Sequence, residues 1–158
     1  MMGILKKISS VTQNRTTYRV GLLQAKAYRV LKQRTADVLK PHGISTFEWA
    51  FVGMLSDNES MRSKDAALEL GVEAPFVTQM VAGLKKKGLV TEKRSLEDSR
   101  AKAIELSEEG RAFVAKLEPI VRAHMRPLLH NVGVRDLLGY LAVLETITEN
   151  DRKQNYKD

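Results

Sequence analysis

The chain has 158 residues, enough for one domain with a real core and too few for two comfortable ones. Its 26 lysines and arginines against 19 aspartates and glutamates leave a net charge of +7, which suits an anionic partner such as nucleic acid or a membrane surface. It has no cysteine, so disulfides, thiol catalysis, thiolate zinc sites and cysteine-based oxidant sensing are excluded together.

Over residues 16–39, apolar side chains recur at Val20, Leu23, Ala27, Val30 and Leu31 among Lys26, Arg29, Lys32 and Arg34, a spacing that predicts an amphipathic helix. Pro41, His42 and Gly43 end it. Ser45 is a natural N-cap for a second helix, with Glu48 at the capping-box position, Trp49, Val52 and Leu55 on the apolar face, and Asp57 and Asn58 as the stop. Ser63 is expected to cap a third helix over residues 64–70, closed by Gly71. A fourth runs over residues 74–87, with Pro75 in the first turn, where its missing N–H costs nothing, and Gly88 as the stop. The order Ala67, Gly71, Val72, Val77, Met80 is what two short helices packed at a sharp angle require. Ala67 lets the second helix approach, Gly71 takes the positive φ of the turn, and the three larger side chains plug the corner.

After Gly88 the period changes. Residues 89–94 and 101–106 are short β-tolerant runs around a polar, charged tip at 95–99, so a β-hairpin is expected. Ser107 then caps a long helix over residues 108–131, with bends expected at Pro119 and Pro127, and Gly133 breaks it. A last helix over residues 135–149 places Leu137, Leu138, Leu141, Leu144 and Ile147 on one face, ahead of a polar, frayed tail from Asn150. Nowhere do about 18 apolar residues run together as a membrane span needs, and no signal-like stretch follows Lys6 and Lys7. A cytoplasmic protein with no membrane partner is the expectation. The fold class is mainly α with a small β-wing: a winged helix-turn-helix over about 45–106 within a single domain, flanked by helices at about 16–40 and 107–149. Those striped outer helices exceed what a winged module needs for its core, so they are expected to pair across a two-fold axis. An intramolecular bundle is the alternative.

In a helix-turn-helix the second helix enters the major groove with its N-terminal residues at the base edges, which selects Ala74, Pro75, Phe76, Thr78 and Gln79. Gln79 suits adenine N6 and N7, Thr78 a base edge or phosphate, and Phe76 or Ala74 a thymine methyl. Phe76 reads equally well as core packing against the preceding helix. Arg100 at a narrow hairpin tip fits a minor groove, and Asp98, two residues earlier, is placed to hold its guanidinium. A local surface salt bridge is the plainer reading of that pair. Between residues 85 and 102, seven cations face three anions, and Lys85, Lys86, Lys87, Lys93, Arg94 and Lys102 are candidates for phosphate contacts. Lys85, Lys86 and Lys87 are also favourable simply as the C-terminal charges of a helix. Nothing points to an enzyme, a metal or a cofactor. The three histidines, His42, His124 and His130, are scattered, and no nucleophile elbow, phosphate loop or metalloprotease motif occurs.

Set in order, these residues resemble the MarR family of bacterial winged helix-turn-helix regulators along nearly the whole chain. Gly43-Ile44-Ser45 with Trp49, Leu70-Gly71-Val72, Val77-Thr78, Lys87-Gly88-Leu89-Val90, and Asp98, Arg100, Leu106, Ser107 and Gly110 carry the resemblance. Three regions depart from it. Ala66 stands where the family usually has leucine, implying a repacked core near Leu68. Gln79 replaces a common arginine, and Gly83 occupies a usually polar mid-helix position. Thr91-Glu92 replaces Glu-Arg, which moves the expected backbone-contacting cation to Lys93 or Arg94.

The resemblance implies a homodimeric transcriptional regulator, a repressor, on a pseudo-palindromic duplex operator. It further implies a small aromatic or phenolic anion as effector, for which Tyr28, His42, Phe47 and Phe51 are the candidate pocket residues. Each also reads as ordinary core or interface. A reading from another class is a winged-helix module whose same face binds protein, against which the basic hairpin and the Asp98 and Arg100 pair argue.

Overall fold

Six α-helices and a three-stranded antiparallel sheet make up the described part of the computed structural model, residues 17–94 and 102–155. These residues fall into two compact units, one ending at Met125 and the other beginning at Arg126.

In the first unit, α1 spans Thr17–Leu39 and gives way to a 3-10 turn, Lys40–His42, that holds Pro41. Helix α2, Thr46–Asp57, starts at the predicted capping box: the Glu48 N–H donates to Ser45 Oγ at 3.2 Å and the Ser45 N–H donates to Glu48 Oε2 at 2.8 Å. Strand β1, Met61–Arg62, was not expected from the sequence. It pairs with the strand over residues 102–106, Met61 opposite Ile104 and Arg62 opposite Ala103. Helix α3, Ser63–Leu70, therefore starts directly from a strand, and its N-cap is Arg62, with no side-chain cap; Ser63 is the first helical residue, contrary to the sequence reading. Helix α4 covers Ala74–Lys86, β2 Val90–Arg94, β3 Lys102–Leu106 and α5 Glu108–Met125.

Two helix ends share one device. Gly71 has φ +63°, its N–H donates to Leu68 O, and the Val72 N–H donates to Ala67 O. Gly88 has φ +73°, with matching bonds from its own N–H to Lys85 O and from Leu89 to Leu84 O. Both are Schellman ends, which satisfy orphan carbonyls and turn the chain sharply. The first aims α4 after α3; the second returns the chain from α4 into β2.

The sheet order is β1-β3-β2, with Val90 opposite Leu106 and Arg94 opposite Lys102. Val77, Met80, Val81 and Leu84 of α4 fall at i, i+3, i+4 and i+7 and are all buried, joining Phe51 and Leu55 of α2, Ile104 and Leu106 of β3, and Leu117 of α5. Each such side chain contributes about 1.5–3 kcal/mol when fully removed from water. Ala66 and Ala67 are buried at the α3–α4 corner, but Leu68 is 49% exposed, so it does not refill the space left by alanine at residue 66.

Helix α1 packs on α2 and α5 through its C-terminal half, where Leu39 is fully buried and the Thr35 hydroxyl lies 3.8 Å from Met125 Sδ. Leu22, Leu23, Tyr28 and Val30 remain exposed. Helix α5 is shorter than expected: it runs through Pro119 but stops at Met125, because Pro127 cannot continue the α-helical ladder and a 3-10 turn follows, Arg126–Leu129. In the second unit, α6 spans Val134–Asn155, beyond the expected end at 149 and into the segment expected to fray. Arg152 and Lys153 in its last turn oppose the negative end of the helix, and Lys153 Nζ lies 3.7 Å from Glu149. Leu138, Tyr140, Leu141, Val143 and Ile147 are exposed along it.

The start of α5 is locked to the end of α4. The Ser107 hydroxyl donates to Gly88 O at 2.5 Å and accepts from the Gly110 N–H at 2.9 Å, while the Ser107 N–H donates to Leu89 O. A Cβ on Gly110 would meet Leu89 O at 2.0 Å, a backbone atom that cannot step aside. Gly110→Ala is accordingly expected to destabilise the fold by about 1–3 kcal/mol, read as a lowered Tm; an unchanged Tm would show that this junction is not tightly determined.

Candidate nucleic-acid interface

Burying one row of α4 exposes the opposite one. Ala74, Pro75, Thr78, Gln79, Ala82 and Lys86 face solvent, so four of the five expected base-reading residues stand on one free surface. The Thr78 hydroxyl donates to Ala74 O at 3.1 Å, which spends its proton within the helix and leaves its lone pairs for a donor such as adenine N6. Gln79 is exposed, and its amide is able to offer a donor and an acceptor together.

Phe76 combines the two roles considered for it. Its ring meets that of Phe47 edge-on, centroids 5.2 Å apart and planes at 72°, yet 42% of the residue stays exposed. It is a packing residue against α2 with one accessible edge.

The basic segment is more neutralised than its sequence suggests. Lys85 Nζ lies 2.7 Å from Glu92 Oε2, and Lys102 Nζ lies 3.5 Å from the same oxygen. Lys93 pairs with Glu105 at 2.6 Å and Lys87 with Glu48 at 2.6 Å. Lys86 has no carboxylate partner among the described residues, which leaves it the freest of these lysines for a phosphate. The Lys85 hydrogen bond holds the Glu92 carboxyl below the usual carboxylate range, against the opposing effect of partial burial. At Glu48, burial is the largest influence and acts to raise the pKa, but the hydrogen bonds from Lys87 and Ser45 together outweigh it and the net shift is downward. One carboxylate thus caps α2 and grips the residue after α4, and a Cβ at residue 83 would meet Glu48 Oε1 at 3.7 Å, an ordinary contact, so this approach does not itself require glycine there.

Asp98 and Arg100 lie outside the described residues. Arg94 closes β2, opposite Lys102.

The four candidate effector residues do not form one site. Tyr28 and Phe47 line a recess of about 370 Å³ with Leu31, Lys32, Thr35, Thr46, Ala50, Glu69 and Leu70. Lys32 Nζ sits 5.8 Å from the Tyr28 ring centroid, so an ammonium and two aromatic rings border the same space. Phe51 is fully buried in the core and His42 is exposed on the 3-10 turn; neither lines the recess. Lys32 was not among the sequence candidates, although its position four residues beyond Tyr28 on one helix would have indicated it. Among the described residues there is no group of three metal-ligating side chains, and no helix is long and apolar enough to cross a membrane.

Residues 42–101 match the model of the MarR family. The fold is similar to that of AbsC, a MarR family transcriptional regulator from Streptomyces coelicolor, with a TM-score of 0.79 at 21% identity over 89% of this chain and 97% of that one. CouR from Rhodococcus jostii RHA1, solved with p-coumaroyl-CoA, gives a TM-score of 0.78 at 19% identity over 87% and 96%. A mutant MarR from E. coli complexed with operator DNA gives 0.71 at 17% identity over 82% and 93%.

The Glu48 node carries a pH signature. A carboxylate held below its usual range contributes stability that is complete above that range and is lost as the pH falls through the depressed pKa. Glu48→Gln keeps a capping side chain without the charge. Near neutral pH the wild type should therefore unfold a few degrees higher than this variant, on the order expected for one partly exposed pair. Thermal melts in acid should show the gap closing; a gap of constant size would exclude the carboxylate as its source.

Proposed function

We propose that this chain belongs to the MarR family and is a homodimeric transcriptional regulator, acting as a repressor, that binds a pseudo-palindromic duplex operator and responds to a small aromatic anion. The observation that carries the reading is α4. Its buried row fixes it in the core, and its free row presents Ala74, Pro75, Thr78, Gln79 and Lys86 at a size and shape that fit a major groove. Residues 45–106 form the reading module. Arg100, between β2 and β3 in the sequence, enters the minor groove, positioned by Asp98, while Lys86 and Arg94 meet phosphates, as Lys102 does once it gives up Glu92.

The second copy is what the outer helices take. Exposed Leu22, Leu23 and Val30 on α1, and Leu138, Leu141 and Ile147 on α6, are apolar surface that a monomer leaves in water and that an isologous pairing buries. Residues 16–40 and 107–149 supply that pairing, and two copies then place two α4 helices one helical turn apart on the duplex. Control resides in binding alone, with no catalytic step.

The recess beside Tyr28, Lys32 and Phe47 is the effector site. Lys32 pairs with a carboxylate while the two rings stack on an aromatic body. Phe47 also touches Phe76 in the first turn of α4, so a ligand that moves the Phe47 ring alters the seat of the reading helix. It releases DNA to the extent that it prefers the displaced arrangement.

Titration of mixed duplex fragments at several salt concentrations tests the main reading. Affinity should fall steeply with salt and the complex should sediment with two copies of the chain. Arg100→Ala should weaken operator binding by about 1–3 kcal/mol without lowering the Tm. Absence of duplex binding even at low salt would favour a protein-binding module instead; unchanged affinity in the variant would reject the minor-groove role alone. For the effector, 4-hydroxycinnamate is expected to reduce DNA affinity in the wild type and to lose that effect in Lys32→Gln. An equal response in both proteins would remove the recess from the mechanism.

A further inference from the structure

Four lysines around the end of α4 and the base of the hairpin are held by only three carboxylates, because Glu92 serves two of them. Its Oε2 lies 2.7 Å from Lys85 Nζ and 3.5 Å from Lys102 Nζ, so one oxygen ties together α4, β2 and β3. The three residues are not equally placed. The Glu92 side chain is 21% exposed, whereas those of Lys85 and Lys102 are 44% and 71% exposed. The carboxylate is thus the anchored partner and the ammonium groups are the accessible ones.

Lys85 lies seven residues beyond Thr78, two helical turns along the same face of α4, and so belongs to the surface that reads DNA. Any phosphate that takes Lys85 or Lys102 must break an existing ion pair and leave the Glu92 charge close to the polyanion. We propose that Glu92 limits sequence-independent DNA binding by keeping Lys85 and Lys102 occupied. The inference rests on the DNA-binding reading above. It gives Glu92 a role distinct from fold stability, since partly exposed pairs contribute little to folding, and it makes the phosphate count of this surface smaller than its lysine count. Weak general affinity is useful to a site-seeking protein because the genome offers a vast excess of competing sequence.

The test is a double-mutant cycle on a mixed-sequence duplex, with affinity followed as a function of salt. Each lysine newly engaged with phosphate steepens the slope of log K against log salt by about 0.9. Glu92→Gln should bind the mixed duplex several-fold more tightly at low salt, with a slope steeper by about 0.9–1.8. Lys85→Gln should change the slope little in the wild type, where the lysine is already occupied, and should remove about 0.9 from it in Glu92→Gln. Glu118→Gln, which removes an equal charge from α5, should leave the slope unchanged.

Equal effects of Lys85→Gln in both backgrounds, or an unchanged slope in Glu92→Gln, would overturn the proposal while leaving DNA binding intact. Failure of the wild type to bind any duplex would remove the DNA-binding reading and this proposal with it. Melting curves of Glu92→Gln alongside the wild type show whether the affinity change belongs to a folded protein.

Discussion

The rest of the first unit depends on a backbone-to-backbone contact between the turn after α4 and the start of α5. Three polar groups of Ser107 and Gly110 are satisfied against Gly88, Leu89 and one another, within a gap too narrow for a methyl group. This contact fixes where α4 ends, where β2 leaves, where β3 returns and where α5 begins. The angle between α4 and the β2–β3 pair is therefore set at this junction. It is also why a serine and a glycine three residues apart sit at this point of the chain: one side chain must bond in two directions and the other must be absent.

Much of this was legible because it is local. The capping box needs Ser45 and Glu48 three apart, and a Schellman end needs one glycine after a helix; both can be found in a short window of sequence. The misreadings share the opposite property. Strand β1 is two residues long and exists only because β3 lies beside it, so no periodicity betrays it, and its presence displaces the cap from Ser63 to Arg62. Helix α5 has helical residues past Met125, but Pro127 ends the ladder earlier than composition suggests. Leu68 looked available to compensate for alanine at residue 66, yet its direction on α3 turns it outward.

The charge pattern shows the same division. Lys93 with Glu105 and Lys102 with Glu92 are diagonal neighbours on the two faces of the β2–β3 pair, so they follow once the hairpin register is known. Lys87 with Glu48 spans 39 residues and needs the tertiary fold. A net count of cations along the sequence therefore overstates the free positive charge of this surface. What matters is how many ammonium groups lack a carboxylate after folding.

The edge-to-face contact of Phe47 and Phe76 has an evolutionary corollary. Phe47 is a wall of the recess and Phe76 lies in the first turn of α4, so the recess and the exposed end of α4 share one pair of rings. A mutation that reshapes the recess at Phe47 also changes the support under the first turn of α4. A mutation at Phe76 likewise changes what the Phe47 ring rests on. Divergence of these two surfaces is constrained to proceed in step, through paired substitutions at residues 47 and 76.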